Sequence, residues 1–169
     1  MTIQEPEVEI REYKVGIAQW DVAVSPHKLI TLGLGSCVGI ALYDPFAKIG
    51  GLGHIMLPDS TQFTRNDNKG KFPDTAIPLI LEKMVREGAR ERAVRAKIAG
   101  GAQMFSTADK KYMGSIGSRN VEKTIEVLEG MGIKITAKEV GGKNGRTMIF
   151  NTLDGSVLLR VLGKEVKML

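Results

Sequence analysis

The chain has 169 residues, 43% hydrophobic and 25% charged, with a formal net charge of +5. That is the size of one domain with a real core and the composition of a soluble globular protein. No apolar run is long enough to span a bilayer, aromatics are too few for a base-stacking platform, and one cysteine excludes an intramolecular disulfide.

Residues 1–12 are polar and acidic and read as a flexible leader. They lack the basic and apolar regions of a signal peptide, so the expected compartment is the cytoplasm, where a lone thiol stays reduced. Residues 13–169 read as a single domain. Tyr13 to Ala18 alternates apolar and polar, a strand signal, and Ala23-Val24 extends to a second short strand before Ser25-Pro26. Lys28 to Leu32 is a third strand and runs into Gly33-Leu34-Gly35-Ser36. Cys37 to Tyr43 alternates again, with Val38, Ile40 and Leu42 on one face. Asp44-Pro45 opens a turn, and Leu52 to Leu57 returns as a strand closed by Pro58.

Asp59 to Pro73 is the longest loop, and loops of this length in compact domains are commonly functional. Asp74 to Glu87 is the clearest helix. Asp74 is placed to cap it, Pro78 falls near its first turn, and Gly88 stops it. Ile77, Ile80, Leu81, Met84 and Val85 form its apolar face, and Glu82 and Arg86 are spaced for an ion pair. Lys97 to Ala102 reads as a strand ending in a Gly-Gly turn, and Met104-Phe105 beyond it reads as a tucked-in loop anchor or an exposed apolar patch. Ser118 to Glu129 is a second helix with Val121, Ile125 and Leu128 inward. Ile133 to Ala137 is a strand, Gly141 to Gly145 a turn, and Thr147 to Asn151 with Ser156 to Leu162 a hairpin about Leu153-Asp154-Gly155. Two helices among many short strands predict an α+β fold, mainly antiparallel, with both helices covering one sheet face.

Several chemistries fail on spacing. Gly33, Gly35 and Gly39 do not match a dinucleotide fingerprint, and Gly141 to Arg146 lacks the P-loop Lys-Ser/Thr pair. One Cys and two His, far apart, do not make a structural zinc site, so neither metal nor cofactor is expected. Ser36 does not sit in a Gly-x-Ser-x-Gly elbow.

What remains is Cys37 in its Gly-rich turn, followed by His54 in Gly50-Gly51-Leu52-Gly53-His54. A free cysteine is commonly only a small buried hydrophobe. With an imidazole as base it is a nucleophile for acyl transfer, and backbone N–H groups of the turn, that of Cys37 foremost, suit a developing oxyanion. A simple hairpin centred near Ala47 pairs Ile40 with His54 and Cys37 with Leu57. It leaves Cys37 and His54 on opposite faces, about 10 Å apart. A bulge at Gly50, Gly51 or Gly53 would change that parity. His27, after Ser25-Pro26, is the other candidate base, although its loop position suits a solvated surface residue.

Thr-Leu-Gly-Leu-Gly-Ser-Cys-Val at 31–38 and Gly-His-Ile-Met-Leu-Pro at 53–58 closely resemble the bacterial chemoreceptor glutamine deamidase family, CheD. Ala99 to Ala102, Ile116-Gly117 with Asn120, and Gly141-Gly142 with Gly145-Arg146 and Phe150 resemble its later landmarks. The resemblance implies Cys37 as nucleophile, His54 as general base and later acid, and Thr31 as the residue orienting His54, with Gly35 and Ser36 supporting the oxyanion turn. It implies a sandwich similar to the catalytic domain of cytotoxic necrotizing factor. The implied reaction converts selected glutamines of methyl-accepting chemotaxis receptors to glutamate and ammonia through a cysteine thioester. Receptor methyl-ester hydrolysis and pairing with a CheC-type response-regulator phosphatase are further implications. Two competing readings are a binding module that regulates such a phosphatase and a generic cysteine amidase.

Overall fold

A computed structural model describes residues 3–103, 116–161 and 166–169. Strands β1 (Glu12–Lys14), β2 (Trp20–Val24), β3 (Lys28–Leu34), β4 (Val38–Asp44) and β5 (Ile49–Ile55) precede helix α1 (Pro73–Arg86). Strand β6 (Arg95–Gly100), helix α2 (Ile116–Gly130) and strands β7 (Lys134–Val140), β8 (Arg146–Asn151), β9 (Val157–Val161) and β10 (Val166–Met168) complete it. The α+β expectation holds, but the strands form two five-stranded sheets, ordered β1-β3-β8-β9-β10 and β2-β5-β4-β6-β7. Among the described residues, only β1–β3 and β6–β7 pair in parallel.

Side-chain parity explains the layering. Along β4, Val38, Ile40 and Leu42 join Ile77, Ile80 and Met84 of α1 and Leu128 of α2 in one core. Their alternates face the other sheet, where Ala41 and Leu52 pack with Leu29, Met148 and Phe150. Both helices therefore cover one face of the second sheet, and its other face closes on the first. Each such buried aliphatic side chain contributes roughly 1.5–3 kcal/mol. A strand buried on both faces loses the polar alternation that marks a half-exposed one, and every residue of β5 is buried.

Local expectations shift in instructive ways. The strand at Tyr13 is only three residues long, because Ala18 turns in the left-handed region and Gly16 donates its N–H to the Gln19 side chain. Asp74 does not cap α1. Its carboxylate instead accepts the Ser60 N–H and hydroxyl, tying the long loop to the helix. Val85 is 42% exposed rather than inward, and Ala76 fills the core face instead. Pro78 lies in the second turn, past the orphan N–H groups of the first. Within the long loop are two single turns of 3₁₀ helix, Ser60–Gln62 and Lys69–Lys71. Ser118 lies inside α2, not at its cap. Met104-Phe105 lies outside the described residues.

The β4–β5 register departs from the simple hairpin by one residue. Gly39 pairs with His54 and Ile40 with Gly53, without a bulge. Residues 45–48 make the turn between Asp44 and Ile49. The Asp44 carboxylate accepts the N–H groups of Phe46 and Ala47, and Lys48 takes φ 53°. Arg90 donates a third N–H to the same carboxylate at 2.6 Å. The glycines of β5 serve close approach instead: a side chain at Gly51 or Gly53 would strike Ile80 of α1, and one at Gly50 would strike Phe150.

Candidate active site

The one-residue change decides the site. A slip of one residue exchanges the faces of a strand. With Gly39 opposite His54, Cys37 lies two residues from the paired position and on the same face as the imidazole. Cys37 itself lies one residue past the last pair of the ladder, Val38 and Ile55. That face looks into the space between the sheets, where Cys37 packs at the edge of the inter-sheet core. Thr31 reaches the same space from β3.

Thr31, fully buried, completes a short relay. Its hydroxyl donates to the Val15 carbonyl at 2.7 Å and lies 2.6 Å from Nδ1 of His54. A hydroxyl has one proton to donate. With that proton on Val15, the hydroxyl oxygen accepts from Nδ1, so Nδ1 carries the imidazole proton and Nε2 carries the lone pair. This tautomer follows from the hydrogen-bond network. The backbone of His54 is held as well: its N–H donates to the Gln19 carbonyl and its carbonyl accepts from Ala18. Burial pushes the imidazole down to about 4, so it is neutral at neutral pH. Nε2 has no hydrogen-bond partner among the described residues. The thiol is thus not hydrogen-bonded to it in this structure; unliganded catalytic contacts are commonly long and tighten on binding.

Cys37 is half-buried and its thiol is free. Burial pushes the thiol up, and its own backbone N–H opposes that shift. At rest both groups are neutral.

The loop that presents Cys37 is shaped by a register shift in β3 between Thr31 and Leu34, with Gly33 at φ 69°. The Gly35 N–H is engaged with the Gly33 carbonyl at 3.0 Å. Carbonyls then anchor the loop from behind. Gly35 accepts from Ala102 and Cys37 from Gly101, each at 2.8 Å. Ser36 accepts from Asn120 at 2.9 Å. Gly100 and Gly101 need positive φ, and a side chain at Gly100 would strike the Cys37 carbonyl. Arg146 holds that turn by donating to the carbonyls of Gly100 and Gly141.

The other histidine is elsewhere. His27 accepts the Arg11 N–H at Nδ1 and packs edge-on to Tyr13. Among the described residues no group of three or more His, Cys, Asp or Glu is placed to hold a metal ion, and no helix is long and apolar enough to cross a membrane. Periodicity does not point to the Val15 carbonyl, which acts through backbone. Asn120 and Thr124 are polar residues buried on the packed face of α2. Two polar side chains one turn apart on an apolar stripe are the signal that reading for hydrophobic period alone passes over.

The family profile described as CheD chemotactic sensory transduction matches residues 56–161. A protein of Desulforamulus reducens is 53% identical over 158 residues, 94% of this chain and 95% of its own length. One of Clostridium novyi is 54% identical over 156 residues, 92% of this chain and 96% of its own. The name of each reads "Probable chemoreceptor glutamine deamidase CheD". A crystal structure of the hypothetical protein YfiH of Bacillus licheniformis aligns over 69% of this chain and 47% of that one. The two are 14% identical, with a TM-score of 0.43. The profile covers most of the chain and the two relatives match it nearly end to end, so the chain belongs to the CheD family.

Proposed function

We propose that the protein is a cytoplasmic glutamine deamidase of methyl-accepting chemotaxis receptors, with Cys37 as nucleophile, His54 as base and acid, and Thr31 as the residue that orients His54. The carrying observation is the Val15–Thr31–His54 relay, which leaves an acceptor lone pair at Nε2 on the face shared with Cys37. Relatives named for glutamine deamidation supply the substrate class.

In this reading a receptor glutamine carboxamide approaches the half-buried thiol. Nε2 takes the thiol proton as the sulfur bonds to the carboxamide carbon. The carbonyl oxygen gathers negative charge and meets the Cys37 backbone N–H, while Gly35 and Ser36 keep the loop in shape through their anchored carbonyls. The imidazolium returns its proton to the amide nitrogen, the C–N bond breaks and ammonia leaves a thioester. Water then attacks the thioester, Nε2 takes the water's proton, and the proton goes back to sulfur as glutamate forms. No metal or cofactor enters. The likeness to the catalytic domain of cytotoxic necrotizing factor and the pairing with a CheC-type phosphatase belong to the same reading.

Incubation with a receptor fragment tests it. Mass spectrometry should find gains of about one dalton for each converted glutamine, the amide having become an acid. Cys37→Ala and His54→Ala should abolish the gain; full activity of Cys37→Ala would refute the mechanism.

A further inference from the structure

We propose that Asn120 is a positioning residue of this site: its side-chain amide ties the nucleophile loop to the strand carrying His54. The inference rests on the assignment of Cys37 and His54 above.

The β4–β5 ladder ends at the pair Val38 and Ile55. Beyond it the two chains part. Ser36 and Cys37 belong to the nucleophile loop, and Met56 turns toward Lys71, whose carbonyl accepts its N–H. Asn120, on α2 and fully buried, bridges the parting. Its Nδ2 donates to the Ser36 carbonyl at 2.9 Å and to the Met56 carbonyl at 3.1 Å. One acceptor lies immediately before Cys37 and the other two residues after His54. Both Nδ2 hydrogens are used. The reversed amide would set Oδ1 against two carbonyl oxygens, so its orientation is determined.

The helix that carries Asn120 is itself fastened near the site. Gly117 lies so close to the carbonyls of Gly101 and Ala102 that no side chain fits there. Thr124 donates to the Asn120 carbonyl at 2.7 Å. Arg119 donates to Gln62, and Lys123 pairs with Asp59, both in the 59–72 loop. The helix that carries Asn120 is thus tied both to the Gly101–Ala102 turn and to the 59–72 loop.

Packing alone does not account for an asparagine here. Its Oδ1 is buried without a hydrogen-bond partner among the described residues. An unpaired buried acceptor is destabilising, and an aliphatic side chain would serve the helix face better. The two donated bonds are what the amide supplies, and both end on the segments that hold the reacting groups.

Asn120→Asp tests the tie. It keeps the shape but puts carboxylate oxygens against two carbonyls. Leu128→Ala, deep in the core on the same helix, is the control for lost stability. Three quantities are read: kcat and KM on a receptor fragment, the pH profile of Cys37 alkylation by iodoacetamide, and the melting temperature. Asn120→Asp is expected to lower kcat about 10- to 100-fold, with KM little changed, because small misplacements of reacting groups have effects of that size. The alkylation profile should move with it. Leu128→Ala should melt lower while keeping both the kcat and the profile. Should Asn120→Asp fail to fold, Asn120→Ser, which keeps one donor, decides with a smaller loss in the same direction. Unaltered kcat and alkylation in a folded Asn120 variant would overturn the proposal, as would Leu128→Ala reproducing the shift. Retained deamidation by Cys37→Ala would instead overturn the nucleophile assignment on which the tie rests.

Discussion

Thr31→Val removes one oxygen from the fully buried centre of the relay. The methyl replacing the hydroxyl conserves volume, so little packing is lost, yet Val for Thr is not a neutral exchange at a bonded site. Two groups lose their partner together: the Val15 carbonyl, at 2.7 Å from the hydroxyl, and Nδ1 of His54, at 2.6 Å. Leaving a buried polar group unpaired costs about 1–3 kcal/mol. Val15 bears this as stability, and a drop of 2–4 °C in melting temperature for each kcal/mol is expected at this size. His54 bears it as chemistry. Without an acceptor at Nδ1, the tautomer with its lone pair at Nε2 loses its advantage. A loss of 1–3 kcal/mol there predicts a kcat about 5- to 150-fold lower. Ammonia release from a receptor fragment measures this, with calorimetry on the same sample. Thr31→Ser keeps the hydroxyl and should retain most of the activity. A Thr31→Val enzyme with undiminished kcat would refute the relay, whatever its melting temperature.

Because burial holds His54 at about 4, kcat/KM should stay level down to about pH 5 and fall near 4; half-maximal activity near 6.5 would contradict this. The same shift has a stability counterpart. Between about 6.5 and about 4 the unfolded chain binds a proton that the folded chain excludes. Stability should therefore fall as pH drops through that window, by on the order of 3 kcal/mol. Denaturant unfolding of His54→Gln should lack this slope, and equal slopes in the two proteins would rule the cause out. Gly100→Ala places a side chain at φ 110° against the Cys37 carbonyl. It should cost about 1–3 kcal/mol in backbone strain and lower kcat as well, since the atom struck belongs to the proposed nucleophile. A variant with both properties unaltered would show that this contact is unimportant. Asp44→Ala removes the acceptor for two backbone N–H groups of the β4–β5 turn and for that of Arg90 beyond α1. A stability loss of roughly 1–3 kcal/mol, read from urea unfolding, is expected.

Much of this protein is legible before it folds. Alternation in Val38, Ile40 and Leu42 and the 3.6-residue period of Ile77, Ile80, Leu81 and Met84 locate the strand and the helix that make one core, because periodicity is a property of local chain geometry. The motifs around Cys37 and His54 place the candidate chemistry in the chain and carry the family resemblance. Whether those two residues share a face was not legible. Face depends on the parity of a turn, and the turn of residues 45–48 is shaped by where the Asp44 carboxylate finds its donors, one of them Arg90 from across the fold. The second sheet escaped for a similar reason. A strand buried on both faces, such as β5, carries no alternation to show which layer covers it. Thr31, the Val15 carbonyl and Asn120 come from three separate segments. Their meeting around His54 and the Cys37 loop is a consequence of closing one sheet on the other and α2 on the end of a ladder. Hydrogen bonds between groups so distant in sequence leave no period in it, so only the tertiary structure decides them.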